Sequence, residues 1–159
     1  MESIDSMDNQ PSISCGFVET MHLYVSHRRY GRPYGITYTE VFSFNPAPPS
    51  MKGYDAIGED GIRYEIKARR LTPRSKPTRF SAIRSFDEGS FDKLVAILFN
   101  EDFSVNRAFI FPRDYIQEKA YWQEHVNGWI LPINDSLWDE KFGQDITKKL
   151  QKHQTLSVA

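Results

Sequence analysis

The sequence predicts an α/β protein in which α-helices flank a mixed β-sheet. A hairpin pattern spans residues 54–69, and the apolar run Leu94-Val95-Ala96-Ile97-Leu98-Phe99 is typical of a strand buried on both faces. Apolar residues also recur at helical spacing near both ends of the chain. With 159 residues, of which 40% are hydrophobic, the chain can form a single domain with a real core.

Net charge, cysteine content and the length of apolar runs exclude several classes of protein. The formal net charge of -1 argues against a wholly basic nucleic-acid binder, so any such role must come from a local patch. The single cysteine, Cys15, excludes an intramolecular disulfide and a cysteine-rich zinc site. No apolar run is long enough to span a membrane, and the acidic, polar residues 1–10 do not resemble a signal peptide. We therefore expect a cytoplasmic protein with no membrane partner.

The first third of the sequence predicts a tail, a helix, and an element that fits either a strand or a helix. Residues 1–11 are expected to form a flexible tail, residues 12–152 the domain, and residues 153–159 a second tail. Helical spacing of Phe17, Met21 and Tyr24 predicts an amphipathic helix over residues 12–30. Residues 34–44 fit either a strand or a short helix. Three prolines in residues 45–52 predict an irregular loop.

The hairpin is the centre of the functional argument. Glu59-Asp60-Gly61 suits a three-residue loop that ends in a left-handed glycine. Counting back from that loop places Asp55 opposite Glu65, on one face of the sheet. Lys67 follows on the same face. Four residues are expected to form a packing surface on the other face: Ile62, Tyr64, Ile66 and Ala68.

Two carboxylates beside a lysine suit a hard divalent cation. Mg²⁺ prefers oxygen ligands and is often held by one or two carboxylates together with substrate phosphates. Lys67 would be a point charge near the scissile phosphate. The alternative is an exposed hairpin on which Arg63, Glu65, Lys67 and Arg69 form a solvated charged face.

Asp55 followed by Glu65-Ile66-Lys67 resembles the Asp…(Asp/Glu)-x-Lys signature of the PD-(D/E)XK nuclease superfamily. The resemblance implies a restriction-endonuclease-like mixed β-sheet flanked by α-helices, with Asp55 and Glu65 as ligands of Mg²⁺ or Mn²⁺ and Lys67 as the catalytic lysine. It also implies an additional acidic residue before the hairpin, for which Glu40 is the first candidate and Glu19 the second. Tyr54 stands where the superfamily often has proline, which is not a ligand. Residues 52–103 also resemble a group of short, poorly characterised bacterial proteins with a GYDA…RYxIKxRR pattern.

A basic stretch follows the hairpin. No acidic residue occurs in residues 66–86, a distribution typical of a phosphate-contacting surface. Pro73, Ser75, Pro77 and Thr78 predict that this stretch is a loop that is mobile without a partner, and the alternative is a solvated flexible loop. Besides Lys67, the candidate nucleic-acid-binding residues are Arg69, Arg70, Arg74, Lys76, Arg79 and Arg84.

The last third predicts a strand over residues 105–111, a short helix over 113–123, a strand over 129–133 and a terminal helix over 146–152. Trp122, Trp129 and Trp138 are expected to be packing residues, and the alternative for each is stacking on a nucleic-acid base.

Together these observations predict a metal-dependent nuclease, with DNA as the preferred substrate and a homodimer as one means of gaining specificity. Two alternatives stay open. The first is a nucleic-acid-binding or interaction module that keeps the fold without catalysis, and the second is a structural or regulatory protein.

Overall fold

The structure is a computed structural model that describes residues 13–18, 20–25, 34–37, 45–47, 53–74, 76–84, 86 and 91–158. For the described residues between 13 and 37, for residue 46 and for residues 154–158, the description is limited to the backbone. The predicted N-terminal tail and both candidate acidic residues before the hairpin, Glu19 and Glu40, lie outside the described residues.

The described N-terminal residues form strands β1 (Ile13–Val18), β2 (Thr20–Val25) and β3 (Tyr34–Thr37). They make an antiparallel sheet in the order β1-β2-β3. The helix predicted over residues 12–30 is therefore wrong. Short apolar spacings fit both periods, and the β-branched and aromatic residues of this segment favour strands once a partner strand is available. The element over residues 34–44, which fits either a strand or a helix, begins as strand β3.

The main sheet contains β4 (Asn45–Pro46), β5 (Ala56–Ile57), β6 (Arg63–Arg70), β7 (Lys93–Phe99), β8 (Val105–Pro112) and β11 (Gln144–Asp145). Within the described residues its order is β11-β8-β7-β6-β5-β4, with β6 and β7 parallel and the other neighbours antiparallel. The predicted mixed α/β class is confirmed. Residues 45–52, predicted as a loop, contribute the two-residue edge strand β4.

Helix α1 is Arg113–Lys119, and helix α2 is Thr147–Val158. The first is shorter than predicted, because the chain becomes extended at Ala120 and continues as β9 (Tyr121–Gln123). Strand β9 pairs with β10 (Gly128–Ile130) across a short 3₁₀ turn. The second helix continues to Val158, beyond its predicted end at residue 152 and into the predicted C-terminal tail. Among the described residues, no helix is long and apolar enough to cross a membrane.

Strand β7 divides the core into two clusters. Val95, Ile97 and Phe99 pack on one face with Leu150 of α2, whereas Leu94, Ala96 and Leu98 pack on the other face with Ile116 of α1. This alternation is what a strand buried on both faces requires. The strand predicted from the continuous apolar run is therefore confirmed, with one helix on each side of the sheet.

The connection from β6 to β7 covers the face of the sheet that carries Leu94, Ala96 and Leu98, which we call the second face. Parallel strands need a crossover of a dozen or more residues, and residues 71–92 provide it. Asp92 fixes the start of both strands, because its carboxylate accepts hydrogen bonds from Arg63 N, Nε and Nη2 at 2.9–3.0 Å. The crossover lies against the second face, where Phe80, Ile83 and Phe91 are buried.

Candidate functional site

The hairpin loop has the predicted geometry. Gly61 has a φ of 80°, and its N–H donates to Gly58 O at 2.9 Å, while Gly58 N donates to Ile62 O at 2.8 Å. Ala56 pairs with Tyr64 and Ile57 with Arg63, so the predicted register is confirmed. Regular pairing ends at Ala56, one residue before the predicted pair of Asp55 with Glu65.

Asp55 is held where regular pairing of β5 ends. Its own N–H donates to Tyr64 O at 2.7 Å, and its Oδ2 accepts a hydrogen bond from Ile66 N at 2.7 Å. In a longer hairpin the Ile66 N–H would pair with the carbonyl of residue 54. Because β5 is only two residues long, the Asp55 carboxylate takes that place and is fixed beside β6.

Glu65 and Lys67 form an ion pair on the same face of β6. Lys67 Nζ lies 2.7 Å from Glu65 Oε1, and each side chain is only 14% exposed. The intervening Ile66 and its neighbour Tyr64 point to the opposite face and are buried in the core, as predicted. Glu65 and Lys67 therefore do not belong to a freely solvated charged surface.

Burial governs the electrostatics of the two carboxyl groups. The pKa of Asp55 is raised chiefly by burial, against the opposing effects of the Ile66 hydrogen bond and the positive charge of Lys67. Burial also raises the pKa of Glu65; Lys67 opposes this rise, and the negative charge of Asp55 adds to it. Two partly desolvated carboxylates share one cation, so a further positive charge would stabilise their ionised forms.

A cavity of about 220 Å³ opens beside this pair. Glu65 and Lys67 of β6 line the cavity together with Ile83, Arg84 and Phe91 of the crossover. Asp55 lies outside the wall, since its carboxylate turns toward the β6 backbone. The crossover thus brings the predicted residue Arg84 to the same space as the carboxylate and lysine of β6.

The donor set fits a divalent cation that keeps part of its hydration shell. Asp55 and Glu65 each use one oxygen within the protein, for Ile66 N and Lys67 Nζ, and among the described residues no hydrogen bond involves Asp55 Oδ1 or Glu65 Oε2. Two carboxylates together with waters and phosphate oxygens are a usual Mg²⁺ environment. The part of the chain that the structure describes contains no group of three or more histidine, cysteine or acidic side chains arranged to hold a metal.

The basic residues are distributed over several surfaces. Arg69 follows Lys67 on the site face by strand alternation. Arg70 points to the other face, where its guanidinium lies 4.5 Å from the centre of the Phe103 ring. Arg79 donates to Gln123 Oε1 at 2.8 Å. Arg74 and Lys76 are exposed.

The basic stretch is irregular, as predicted, but its second half is hydrogen-bonded to the segment that begins with β10. Phe80 N donates to Leu131 O, Ile83 exchanges two backbone hydrogen bonds with Trp129, and Thr78 O accepts from Ile133 N, all at 2.8–3.0 Å. Phe80 and Ile83 are also fully buried. The sequence feature that indicates this packing is the presence of two large apolar residues among the basic ones, because a fully solvated loop would expose them to water.

Two of the three tryptophans are packing residues as expected. Trp129 and Trp138 pack against the buried cluster on the second face. Trp122 is different, since 45% of it is exposed. Sequence reasoning missed this difference because it depends on which side of β9 is covered.

No protein-family model matches the chain, and a comparison with curated proteins gives no match.

Proposed function

We propose that the protein is a metal-dependent nuclease that hydrolyses phosphodiester bonds in nucleic acid, preferably DNA, with Mg²⁺ or Mn²⁺ as its cofactor. The observation that carries the proposal is the Glu65–Lys67 pair on one face of β6, at a cavity that Arg84 also lines, with the Asp55 carboxylate held beside that strand by the Ile66 N–H. Burying two carboxylates costs desolvation free energy, so the pair contributes little to stability by itself. A bound cation would offset that cost, and carboxyl groups with perturbed pKa values are typical of functional sites.

Asp55 and Glu65 would hold the metal through their remaining oxygens. When bound, the ion would lower the pKa of a coordinated water and neutralise charge that builds on the phosphorus. The Ile66 N–H fixes the orientation of Asp55 before the metal arrives. This preorganisation lowers the entropic cost of assembling the site.

Lys67 would act in two states. In the metal-free protein its ammonium group neutralises Glu65. Once a cation satisfies Glu65, the same ammonium group can orient the attacking water and stabilise negative charge on the phosphoryl oxygens. Arg84, which also lines the cavity, would contact the phosphate backbone of the substrate, and Arg69 on the site face would extend that contact.

The finer fold assignment is part of the same proposal. A mixed sheet whose hairpin carries Asp55, Glu65 and Lys67 agrees with a restriction-endonuclease-like core. Glu40 is proposed as an additional acidic residue of the site. We also propose a homodimer for gaining specificity; sedimentation as a monomer with and without DNA would argue against it.

The experiment is cleavage of plasmid, linear duplex, single-stranded DNA and RNA with Mg²⁺ or Mn²⁺, compared with EDTA. Wild type, Asp55→Asn and Lys67→Met are compared with Arg70→Gln, a matched control from the opposite face of β6. We expect cleavage that EDTA and either site substitution abolish and that the control retains. Cleavage that survives both site substitutions would contradict the proposed site.

A binding module without catalysis is the second candidate. It is favoured by the Glu65–Lys67 ion pair, which already satisfies one carboxylate without a metal. This candidate predicts salt-dependent nucleic-acid binding that survives Asp55→Asn, with no cleavage of any substrate in either metal.

A further inference from the structure

One face of the β9–β10 hairpin is continuous with the cavity. A Cβ atom at Gly128 would lie 2.9 Å from Ala82 Cβ and 3.6 Å from Arg84 Cγ, so these two side chains lie on the face of β10 to which residue 128 points. Ala82 and Arg84 also line the cavity beside Glu65 and Lys67. We call this side of the hairpin the Gly128 face.

The absence of a side chain at Gly128 lets Arg84 lie close to β10. Any larger residue at position 128 would have to displace Ala82, because its Cβ would be only 2.9 Å from the alanine Cβ. The stem of Arg84 therefore packs over the buried glycine, while Arg84 as a whole stays exposed to solvent. Its charged end is available at the place where the cavity meets the Gly128 face.

Strand β9 brings a second basic side chain to the Gly128 face. Gln123 is directly opposite Gly128 in the hairpin, so its side chain points to the same face. Its Oε1 accepts a hydrogen bond from Arg79 Nη1 at 2.8 Å, which places the Arg79 guanidinium on this face. Arg79 is exposed, and a guanidinium has five N–H donors, so further donors are available for a ligand.

The charge and length of the Gly128 face suit a nucleic-acid strand. Residues 78–84, 121–123 and 128–130 build it and contain no acidic residue; the first carboxylate beyond them is Glu124 in the 3₁₀ turn. Trp129 is directly opposite Ile83 on one side and Trp122 on the other, so the crossover and β9 lie two strand spacings apart, about 10 Å. A nucleic-acid strand has one phosphate per about 3.4 Å of helix axis, so this distance corresponds to about three nucleotides.

We propose that a nucleic-acid strand whose scissile phosphate lies at the cavity continues over the Gly128 face, where Arg84 and Arg79 contact separate phosphates of that strand. The proposal rests on the proposed function and deepens it, because it assigns the substrate class: a polynucleotide that extends beyond the cleaved bond, and not a dinucleotide. Guanidinium groups suit these contacts, since they bind phosphate oxygens through two parallel hydrogen bonds. Gln123 is a positioning residue, because it holds the Arg79 guanidinium on the face without having to touch the substrate.

The test is equilibrium binding measured by fluorescence anisotropy in EDTA, so that no cleavage occurs, at several salt concentrations. The probes are a fluorescein-labelled 12-nucleotide single strand and a 12-base-pair duplex, and the variants are compared on the probe that wild type binds more tightly. The variants are Arg79→Gln, Arg84→Gln, the double variant and Gln123→Leu. Lys148→Gln is the control, because it removes the same charge from an exposed residue of α2, on the other side of the main sheet. Thermal melting of each variant checks that it is folded.

The two arginine variants are each expected to lower the salt slope by about 1 and to weaken binding about 5- to 8-fold at 0.1 M relative to 1 M salt, the factor for one phosphate contact. The double variant should lose about 25- to 60-fold and lower the slope by about 2, because one strand makes both contacts. Gln123→Leu should weaken binding about 2- to 10-fold with an unchanged slope, since it releases the Arg79 side chain without removing its charge. Lys148→Gln should change binding less than about twofold.

Four results would overturn the proposal: no nucleic-acid binding by wild type, wild-type affinity in folded Arg79→Gln, a loss in Arg79→Gln no larger than that in Lys148→Gln, or an unlabelled dinucleotide that competes as well as an unlabelled 12-nucleotide strand. An unchanged affinity in folded Gln123→Leu would overturn the positioning role of Gln123.

Cleavage assays separate this proposal from the proposed function. Binding that depends on Arg79 and on strand length, without cleavage in either metal, would keep the Gly128 face as a binding surface and remove the nuclease. Metal-dependent cleavage by Arg79→Gln with the KM of wild type would keep the nuclease and overturn the route over the Gly128 face.

Discussion

The Glu65–Lys67 ion pair gives the sharpest quantitative test of the site. Removing one partner of a buried pair leaves an uncompensated charge and typically costs about 3–5 kcal/mol, whereas removing both is close to neutral. Here the side chains keep 14% exposure each, so water partly screens the orphaned charge. We therefore expect Lys67→Met to reduce the free energy of unfolding by about 2 kcal/mol in EDTA.

The assay is a double-mutant cycle of wild type, Lys67→Met, Glu65→Gln and the double variant, measured by urea and thermal unfolding. For a chain of this size, about 2 kcal/mol corresponds to a loss of 4–8 °C in Tm. The double variant should lie within about 1 kcal/mol of wild type, because the carboxamide and thioether leave no charge behind. Single costs that simply add in the double variant, or a Lys67→Met protein as stable as wild type, would refute the reasoning.

Repeating the unfolding measurements with added Mg²⁺ tests whether the same residues bind the metal. With Lys67 absent, Asp55 and Glu65 have no cation of their own, so added Mg²⁺ should raise the Tm of Lys67→Met more than that of wild type. The same variant should fail to cleave nucleic acid, because it lacks the ammonium group near the scissile phosphate. Equal metal-induced shifts in wild type and Lys67→Met would contradict the two-state role of Lys67.

Three further predictions concern the hairpin and its faces. Burial raises the pKa of Asp55, so the protonated carboxyl group favours the folded state. This contribution to the free energy of unfolding is fully present below about pH 3.9, the pKa of an aspartate in the unfolded chain, and is lost as pH rises through the raised folded-state pKa. Asp55→Asn should therefore melt higher than wild type at pH 8 in EDTA, with the difference shrinking toward pH 4; the opposite trend in a pH series would contradict it. Gly61→Ala should cost about 1–2 kcal/mol, because its φ of 80° disfavours a side chain while the space around it is open, and Gly61→Asn should cost less in the same unfolding assay. Arg69→Gln should weaken nucleic-acid binding and lower the salt slope by about 1, whereas Arg70→Gln on the opposite face should not, as measured by anisotropy at several salt concentrations.

The register of the hairpin could be predicted from sequence because its determinants are local. A glycine suited to the left-handed conformation at position 61 fixes the loop, and the loop fixes which residues face each other. The alternation of Tyr64 and Ile66 with Glu65 and Lys67 then assigns the two faces. Strand β7 could also be predicted, since a continuous apolar run of this length is typical of a strand that is buried on both faces.

The N-terminal strands could not be predicted from spacing alone. Residues 13–25 fit a helical pattern, yet they pair as β1 and β2 with β3 beyond them. Secondary structure in such short segments depends on whether a partner strand is available, and that is a property of the whole chain. The same reasoning applies to Tyr121 and Trp122, which follow α1 as the strand β9.

The sequence by itself determined the local geometry of the hairpin: the left-handed glycine at position 61, the pairing of Ala56 with Tyr64, and the common face of Glu65 and Lys67. Only the tertiary structure decided what surrounds them. The crossover folds back so that Phe80 and Ile83 are buried and Arg84 reaches the cavity, while Arg70 is turned to the opposite face. The physical reason is range, because strand register follows from backbone geometry over a few residues, whereas the covering of a sheet face follows from burying apolar side chains that are distant in sequence.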